Sequence, residues 1–292
     1  MGYAVGSLIS LLQCWQSARL TTRRAMDLGS QDVTIFDDSD LQQLLDLVCR
    51  LGDGAHRLRQ VCQSSFPAIV TAREVFTAAG FDYSCCDVDQ RPGTEYIDFN
   101  TMSFDSVQYG EFDLVMNAGT TEHLSNPVPA FFLMHSLCRT GGLLFHEVPL
   151  SGWFNHGLIN LTPKFWHTLT WANSYEVLTA FVKRNYLSTS DGNFAGEHLD
   201  FIGGLTDAGT VSSSLHMVCQ KSSARGFVPP FDVVIPRDDD GSSLAQVIRG
   251  SLEPFAASGA CSRKDVVATV NAFLEHVGLS HRLTAPSAAT VA

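Results

Sequence analysis

Strand-like and helix-like segments alternate along most of this chain, and that alternation restricts the fold more than any other feature. Phe112-Asp113-Leu114-Val115-Met116-Asn117 is nearly all apolar, as a strand buried on both faces of a parallel sheet must be. A helix is expected over Val128–Leu137, then a Gly141-Gly142 turn and the strand Leu143–Val148. Upstream, Arg24–Leu28 reads as a strand. Leu41–Leu51 reads as a helix capped by Ser39 or Asp40, and Ala72–Ala79 as a helix closed by Gly80. Tyr83–Asp89 and Tyr96–Phe99 read as further strands. Downstream come a helix over Pro163–Ala172, a strand Glu176–Val182, a polar loop 185–197, and strands 198–202 and 214–219. Strands separated by helices pair in parallel through helical crossovers. The expected fold class is therefore α/β: a Rossmann-like, doubly wound, mostly parallel sheet with helices on both faces and an antiparallel strand near its end.

The 292 residues suffice for one such domain with an appendage. Leu8, Leu11, Leu12 and Trp15 recur at helical spacing, so residues 1–23 are expected to hold a helix packed on the body. The core is expected over 24–224, with an insertion at about 36–66. From Arg225 the texture changes: Pro229-Pro230 and Asp238-Asp239-Asp240 precede two amphipathic stretches, 243–257 and 262–277, which form a helical appendage over 225–283. The tail, 284–292, is small and polar and is expected to be disordered.

A net charge of −11 with no block of Lys or Arg argues against nucleic acid, whose phosphates call for a basic surface. The apolar N-terminal stretch has no basic flank or cleavage site and is too short to span a bilayer, so no stable membrane insertion is expected. Eight cysteines without a Cys-x-x-Cys pair, mostly in apolar runs, read as reduced thiols of a cytoplasmic protein. No Gly-x-x-x-x-Gly-Lys or Gly-x-Ser-x-Gly motif occurs, which speaks against nucleotide triphosphatase and hydrolase chemistry.

The first strand ends Met26-Asp27-Leu28-Gly29. An acid followed by a glycine at a strand end lets the backbone approach a ligand, because no Cβ intervenes. With Cys85-Cys86-Asp87-Val88-Asp89, Ile97-Asp98-Phe99, Phe112–Asn117 followed by Thr121-Glu122-His123-Leu124, and Leu137–Leu144 through Gly141-Gly142, the chain resembles the class I S-adenosylmethionine-dependent methyltransferases over about 24–221. That resemblance implies a seven-stranded sheet with one antiparallel strand and S-adenosyl-L-methionine as cofactor. It implies that Asp87 accepts the ribose hydroxyls, since a carboxylate offers two oxygens and no donor. Val88 would pack on the adenine, with Asp98 near its amine and Phe99 beside the ring. Asp27, Gly29, Asn117, Gly119, Glu122 and His123 would surround the methionine end. The family's Gly-x-Gly-x-Gly loop is here Gly29-Ser30-Gln31-Asp32-Val33, so Gln31 stands at a glycine position and either bonds the cofactor or weakens its binding.

Transfer to a hydroxyl often uses a general base. His146, Glu147 and His156 are the candidate catalytic residues at or after the fifth strand, with ordinary hydrogen-bonded structure as the alternative for each. Neighbouring strand residues face opposite ways, so only one of His146 and Glu147 can look into the site. The histidines show no His-x-x-x-His spacing, so no metal is expected. Trp153, Phe154, Phe165 and Trp166 either wall a substrate pocket or belong to the core. The reading is a methyltransferase acting on a small molecule, with O-methylation first. The alternatives are a degenerate fold serving as a binding or scaffold protein, and a cofactor-dependent enzyme that does not methylate. Assembly is open, with a homodimer among the options.

Overall fold

The computed structural model describes residues 2–20, 22–62, 66–89, 91–100, 110–153, 156–186 and 211–230, and within the remainder 242, 245–246, 249–250, 253, 262–276 and 281–283. The strands are β1 (Tyr3–Ala4), β2 (Arg24–Leu28), β3 (Asp32–Ile35), β4 (Ala68–Thr71), β5 (Asp82–Asp87), β6 (Thr94–Tyr96), β7 (Phe112–Ala118), β8 (Cys138–Ser151), β9 (Tyr175–Tyr186) and β10 (Val211–Lys221). The helices are α1 (Val5–Ser17), α2 (Asp38–Leu51), α3 (Ala55–Val61), α4 (Ala72–Ala78), α5 (Val128–Leu137), α6 (Pro163–Ala172) and α7 (Arg263–His276).

Seven strands form one sheet in the order β6-β5-β2-β7-β8-β10-β9. The pairs β2–β5, β2–β7, β5–β6 and β7–β8 are parallel, and β10 runs antiparallel to both its neighbours. This is the expected doubly wound sheet, with the one antiparallel strand next to its edge. Every residue of β7 is buried, as its apolar run requires. On one face α1, α2 and α4 cover a core that includes Leu8, Leu12, Leu44, Phe76 and Phe145. On the other, α5 and α6 cover Met26, Phe131, Leu144 and Trp166.

The boundaries of α5 and α6 match expectation. Each carries a proline in its first turn, where the missing N–H costs no hydrogen bond. Elsewhere the structure departs from the sequence reading. Asp37, not Ser39 or Asp40, caps α2, its side chain accepting from Asp40 N at 2.9 Å. β8 starts at Cys138, so Gly141-Gly142 lies inside the strand, with Gly141 at φ +83 and a register irregularity beside it. The third strand forms upstream, at Thr94–Tyr96, leaving Asp98 and Phe99 in the loop beyond it.

The largest departure is a second sheet, β1-β3-β4. Val33 and Ile35 are buried while Asp32 and Thr34 between them are half-buried, so the chain after Gly29 follows a two-residue period. Where the resemblance implies a Gly-x-Gly-x-Gly loop, the backbone continues as a strand beside Tyr3–Ala4. The stretch 36–66 holds α3 as well as the expected helix, and β3 and β4 flank it. In the C-terminal part, α7 falls within the expected 262–277. The expected strand 198–202, the tail 284–292, most of the loop 185–197 and most of the helix 243–257 lie outside the described residues. No described helix is long and apolar enough to cross a membrane.

Candidate functional site

β2 sits between β5 and β7, and the chain leaves it toward opposite sides of the sheet. Such a switch point opens a crevice at the carboxyl ends of the strands. A cavity of about 550 Å³ lies there, lined by residues that follow β2, β5, β6 and β7.

Asp87, the last residue of β5, lies on its wall. Its Oδ2 accepts from Ser30 N at 2.9 Å and Ser30 Oγ at 3.2 Å, and its Oδ1 from Val88 N at 2.6 Å and Asp89 N at 3.4 Å. A carboxylate has about four acceptor positions, so a ligand diol must displace the Ser30 hydroxyl. That hydroxyl has a second acceptor at hand, Asp89 Oδ2. Val88 is 52% exposed and Phe99 2%, and both line the crevice. Asp98 lines it too, its Oδ1 accepting from Asn100 N at 2.9 Å. Arg91 ties the rim together by donating to Ser30 O at 3.0 Å and Asp32 Oδ1 at 2.9 Å.

Gly29 has φ +118, a conformation that L side chains rarely adopt, and its N–H donates to Cys86 O at 2.8 Å. A Cβ there would collide with Gln31 Nε2 and lie 2.6 Å from Thr120 Oγ1. The Gln31 amide thus lies over the glycine face, donating to Thr120 Oγ1 at 3.1 Å, while that hydroxyl donates to Leu28 O. Gln31, Gly119 and Thr120 line this end of the crevice.

Four residues expected at the site are buried away from it. Asp27 is fully buried beneath the sheet, and its Oδ2 accepts from Tyr3 Oη at 2.7 Å and Tyr83 Oη at 3.0 Å. Burial pushes its carboxyl up to about 8 against the two tyrosine bonds. Asn117 braces the turn after β7, donating to Thr121 Oγ1 at 2.8 Å and accepting from Thr121 N at 3.2 Å. His146 packs between Phe131 and Trp166, with ring centroids at 5.7 and 4.8 Å. Burial lowers its pKa to about 3, so it is neutral. Glu147 faces the other side of the sheet, as strand alternation requires. It accepts from Lys183 Nζ at 2.7 Å and lies 3.3 Å from His216 Nδ1. Burial raises its carboxyl, but the His216 bond and the Lys183 charge outweigh that and hold it below the usual carboxylate range. His216 reaches on to Ser10 Oγ at 3.0 Å, and Lys183 donates to Ser7. These residues bind α1 to the sheet.

The remaining three cluster together, and one of them, His123, lines the crevice. Glu122 and His123 belong to a 3-10 turn, Thr121–His123, after β7, and His156 to the loop after β8. Glu122 Oε1 lies 3.5 Å from His156 Nε2 and 3.9 Å from His123 Nε2. Glu122 is buried, His123 lines the crevice, and burial lowers the His123 pKa. Of the aromatic candidates, Trp166 is core, Phe165 packs on it at 5.3 Å, and Trp153 donates its indole N–H to Ser213 O at 3.2 Å. Phe154 lies outside the described residues.

Sequence reasoning missed Ser30, Asp89, Arg91, Asn100 and Thr120 on the crevice wall. Ser30, Asp89 and Thr120 adjoin residues that were singled out, so their proximity was a usable signal. Arg91 carried none.

No protein-family model matches the sequence, and no curated protein matches it. Solved structures do. A protein from Bacillus halodurans C-125 described as a candidate methyltransferase is 10% identical, with 73% of this chain and 99% of that one covered at a TM-score of 0.42. A SAM-dependent methyltransferase from Archaeoglobus fulgidus is 10% identical over 73% and 94%, at 0.38. The [4+2]-cyclase SpnF is 11% identical over 74% and 81%, at 0.41. Similarity at this level says nothing of activity. The strand order, the strand directions and the crevice stand on this chain's own geometry.

Proposed function

We propose that this protein is an S-adenosylmethionine-dependent methyltransferase acting on a small molecule, with oxygen as the accepting atom. The observation that carries the reading is the acid at the carboxyl end of β5, Asp87, on the wall of a crevice at the switch point between β2 and β7. The wall fits the adenosyl half of the cofactor: Val88 and Phe99 offer apolar surface and Asp98 an acceptor. Asp87 takes the ribose hydroxyls once Ser30 Oγ turns wholly to Asp89. The methionine end meets Gly29 once the flexible Gln31 head leaves Thr120. The cofactor supplies, when bound, a methyl group made electrophilic by its sulfonium. The protein's share is to orient that group, exclude water and favour the deprotonated acceptor. His123, on the crevice wall, with Glu122 and His156 beside it, is the polar group for that last task, whereas His146 and Glu147 are taken up by packing and hydrogen bonds.

The test is incubation of the full chain with S-adenosylmethionine and a panel of small hydroxyl compounds. The expected result is S-adenosylhomocysteine formation that depends on the acceptor, with a product heavier by one methyl group. No turnover and no binding of either cofactor form would sink the reading. A second reading, a fold that binds without transferring methyl, is favoured by Gln31 lying across Gly29 and by β3 replacing the glycine loop. Binding without turnover across the panel supports it.

A further inference from the structure

Glu122 is 2% exposed, yet neither of its carboxylate oxygens has a hydrogen-bond partner among the described residues. His156 Nε2, facing it, has none either. A buried carboxylate without partners is costly, and among the described residues the other buried acids keep at least one oxygen bonded: Asp27 Oδ1 is without a partner, but its Oδ2 accepts from two tyrosines. Asp113, fully buried, accepts from Arg139 Nε at 2.7 Å, Thr22 Oγ1 at 2.6 Å and Arg24 N at 3.0 Å.

The backbone holds the bare acid and its two histidines together. Leu158 N and Ile159 N both donate to Glu122 O, at 2.8 and 3.2 Å. Gly157 lies so close that a Cβ there would stand 2.8 Å from Glu122 Cγ and 2.9 Å from its carbonyl oxygen. Any side chain at 157 would force the Glu122 turn and the loop carrying His156 apart or shift Glu122. Upstream, His156 N donates to Trp153 O at 3.0 Å, and Trp153, at φ +55, is pinned to β10 by its indole. One ligand atom from each of Glu122, His123 and His156 lies within 4.8 Å of the others. Ligands ~2.1 Å from a shared ion are ~3–3.5 Å apart, so small side-chain rotations close the set.

We propose that Glu122, His123 and His156 bind one divalent first-row transition-metal ion. Two imidazoles and one carboxylate suit zinc, iron, cobalt or manganese; calcium and magnesium favour all-oxygen shells. The His123 side chain is 43% exposed and lines the crevice. The free positions of the ion therefore open to the crevice, where water or an oxygen of a bound molecule completes its shell. The ligands come from two separate loops, so sequence spacing hides the site. The metal site does not depend on the methyl-transfer reading.

The test uses chelator-treated full chain titrated with cobalt chloride. The expected result is one cobalt per chain, with visible absorption bands displaced by zinc. Glu122→Gln and His156→Gln should each weaken binding at least ~tenfold. X-ray absorption of the zinc-loaded native chain should report two imidazoles and no sulfur, a readout that needs no variant to fold. Failure to bind cobalt at about 1 mM, undiminished binding by both variants, or a shell containing cysteine sulfur would overturn the proposal.

Discussion

Glu147, on β8, and Glu122, in the turn after β7, are both buried acids, and they differ in what surrounds them. Glu147 is met by Lys183 and His216, and through them by two serines of α1. Glu122 is met by two histidine edges, with no hydrogen bond to either oxygen among the described residues. The first acid is consumed by the fold. The second is held in place by its backbone while its side chain is left for something else. The same contrast separates Asp27, bound by two tyrosines, from Asp87, whose ties to Ser30 can be exchanged. Burial alone does not separate these acids; they differ in how many of their acceptor atoms are bonded among the described residues, both oxygens in Glu147, one in Asp27 and none in Glu122.

The contrast can be broken by mutation. Glu147→Ala should cost about 3 kcal/mol of stability in urea unfolding, because it leaves a lysine and a histidine unpaired in the interior. Glu122→Gln, in metal-free buffer, should cost no stability and should raise it if anything, since it removes a buried charge that lacks partners among the described residues. Equal losses would erase the distinction.

Asp27 gives the next largest effect. Its folded carboxyl titrates at about 8 against 3.8 for the ordinary group. Between those values the folded state holds a proton that the unfolded state has released. The stability linked to Asp27 is therefore full below about pH 4 and is lost as pH rises toward 8. Asp27→Asn should remove about 3 kcal/mol of the stability change between pH 5 and pH 8, read from unfolding midpoints at the two pH values. An unchanged slope would contradict the assignment.

In the crevice, Asp87→Ala should weaken S-adenosylhomocysteine binding at least ~tenfold by calorimetry, with unfolding shifted by less than about 1 kcal/mol. The smallest effect is expected at Gln31. Gln31→Ala should tighten that binding by roughly two- to threefold, because the ligand no longer has to displace the amide from Thr120. A weakening would make the amide a ligand contact instead.

The fold was legible where its signals are local. The apolar run of β7 and the N-terminal prolines of α5 and α6 fall within a few residues of the elements they specify. The sheet β1-β3-β4 was not legible, because it depends on Tyr3 and Ala4 meeting Val33 and Thr34, and neither short segment carries a strand's worth of pattern. Within the site, Asp87, Val88 and Phe99 were visible from a local motif, and the crevice brings them together. Asp27 was misplaced because the partner that claims it, Tyr3, arrives from the N-terminus. The Glu122, His123 and His156 cluster was hidden for a similar reason: it exists only once the loop after β8 has folded onto the turn after β7.

The central claim is that the crevice beside Asp87 is a cofactor site. Its most direct test is calorimetric titration of the full native chain with S-adenosylhomocysteine. One site per chain with micromolar affinity is expected, weakened at least ~tenfold in Asp87→Ala. Absence of binding by the native chain at about 1 mM ligand, or equal binding by the variant, would contradict it.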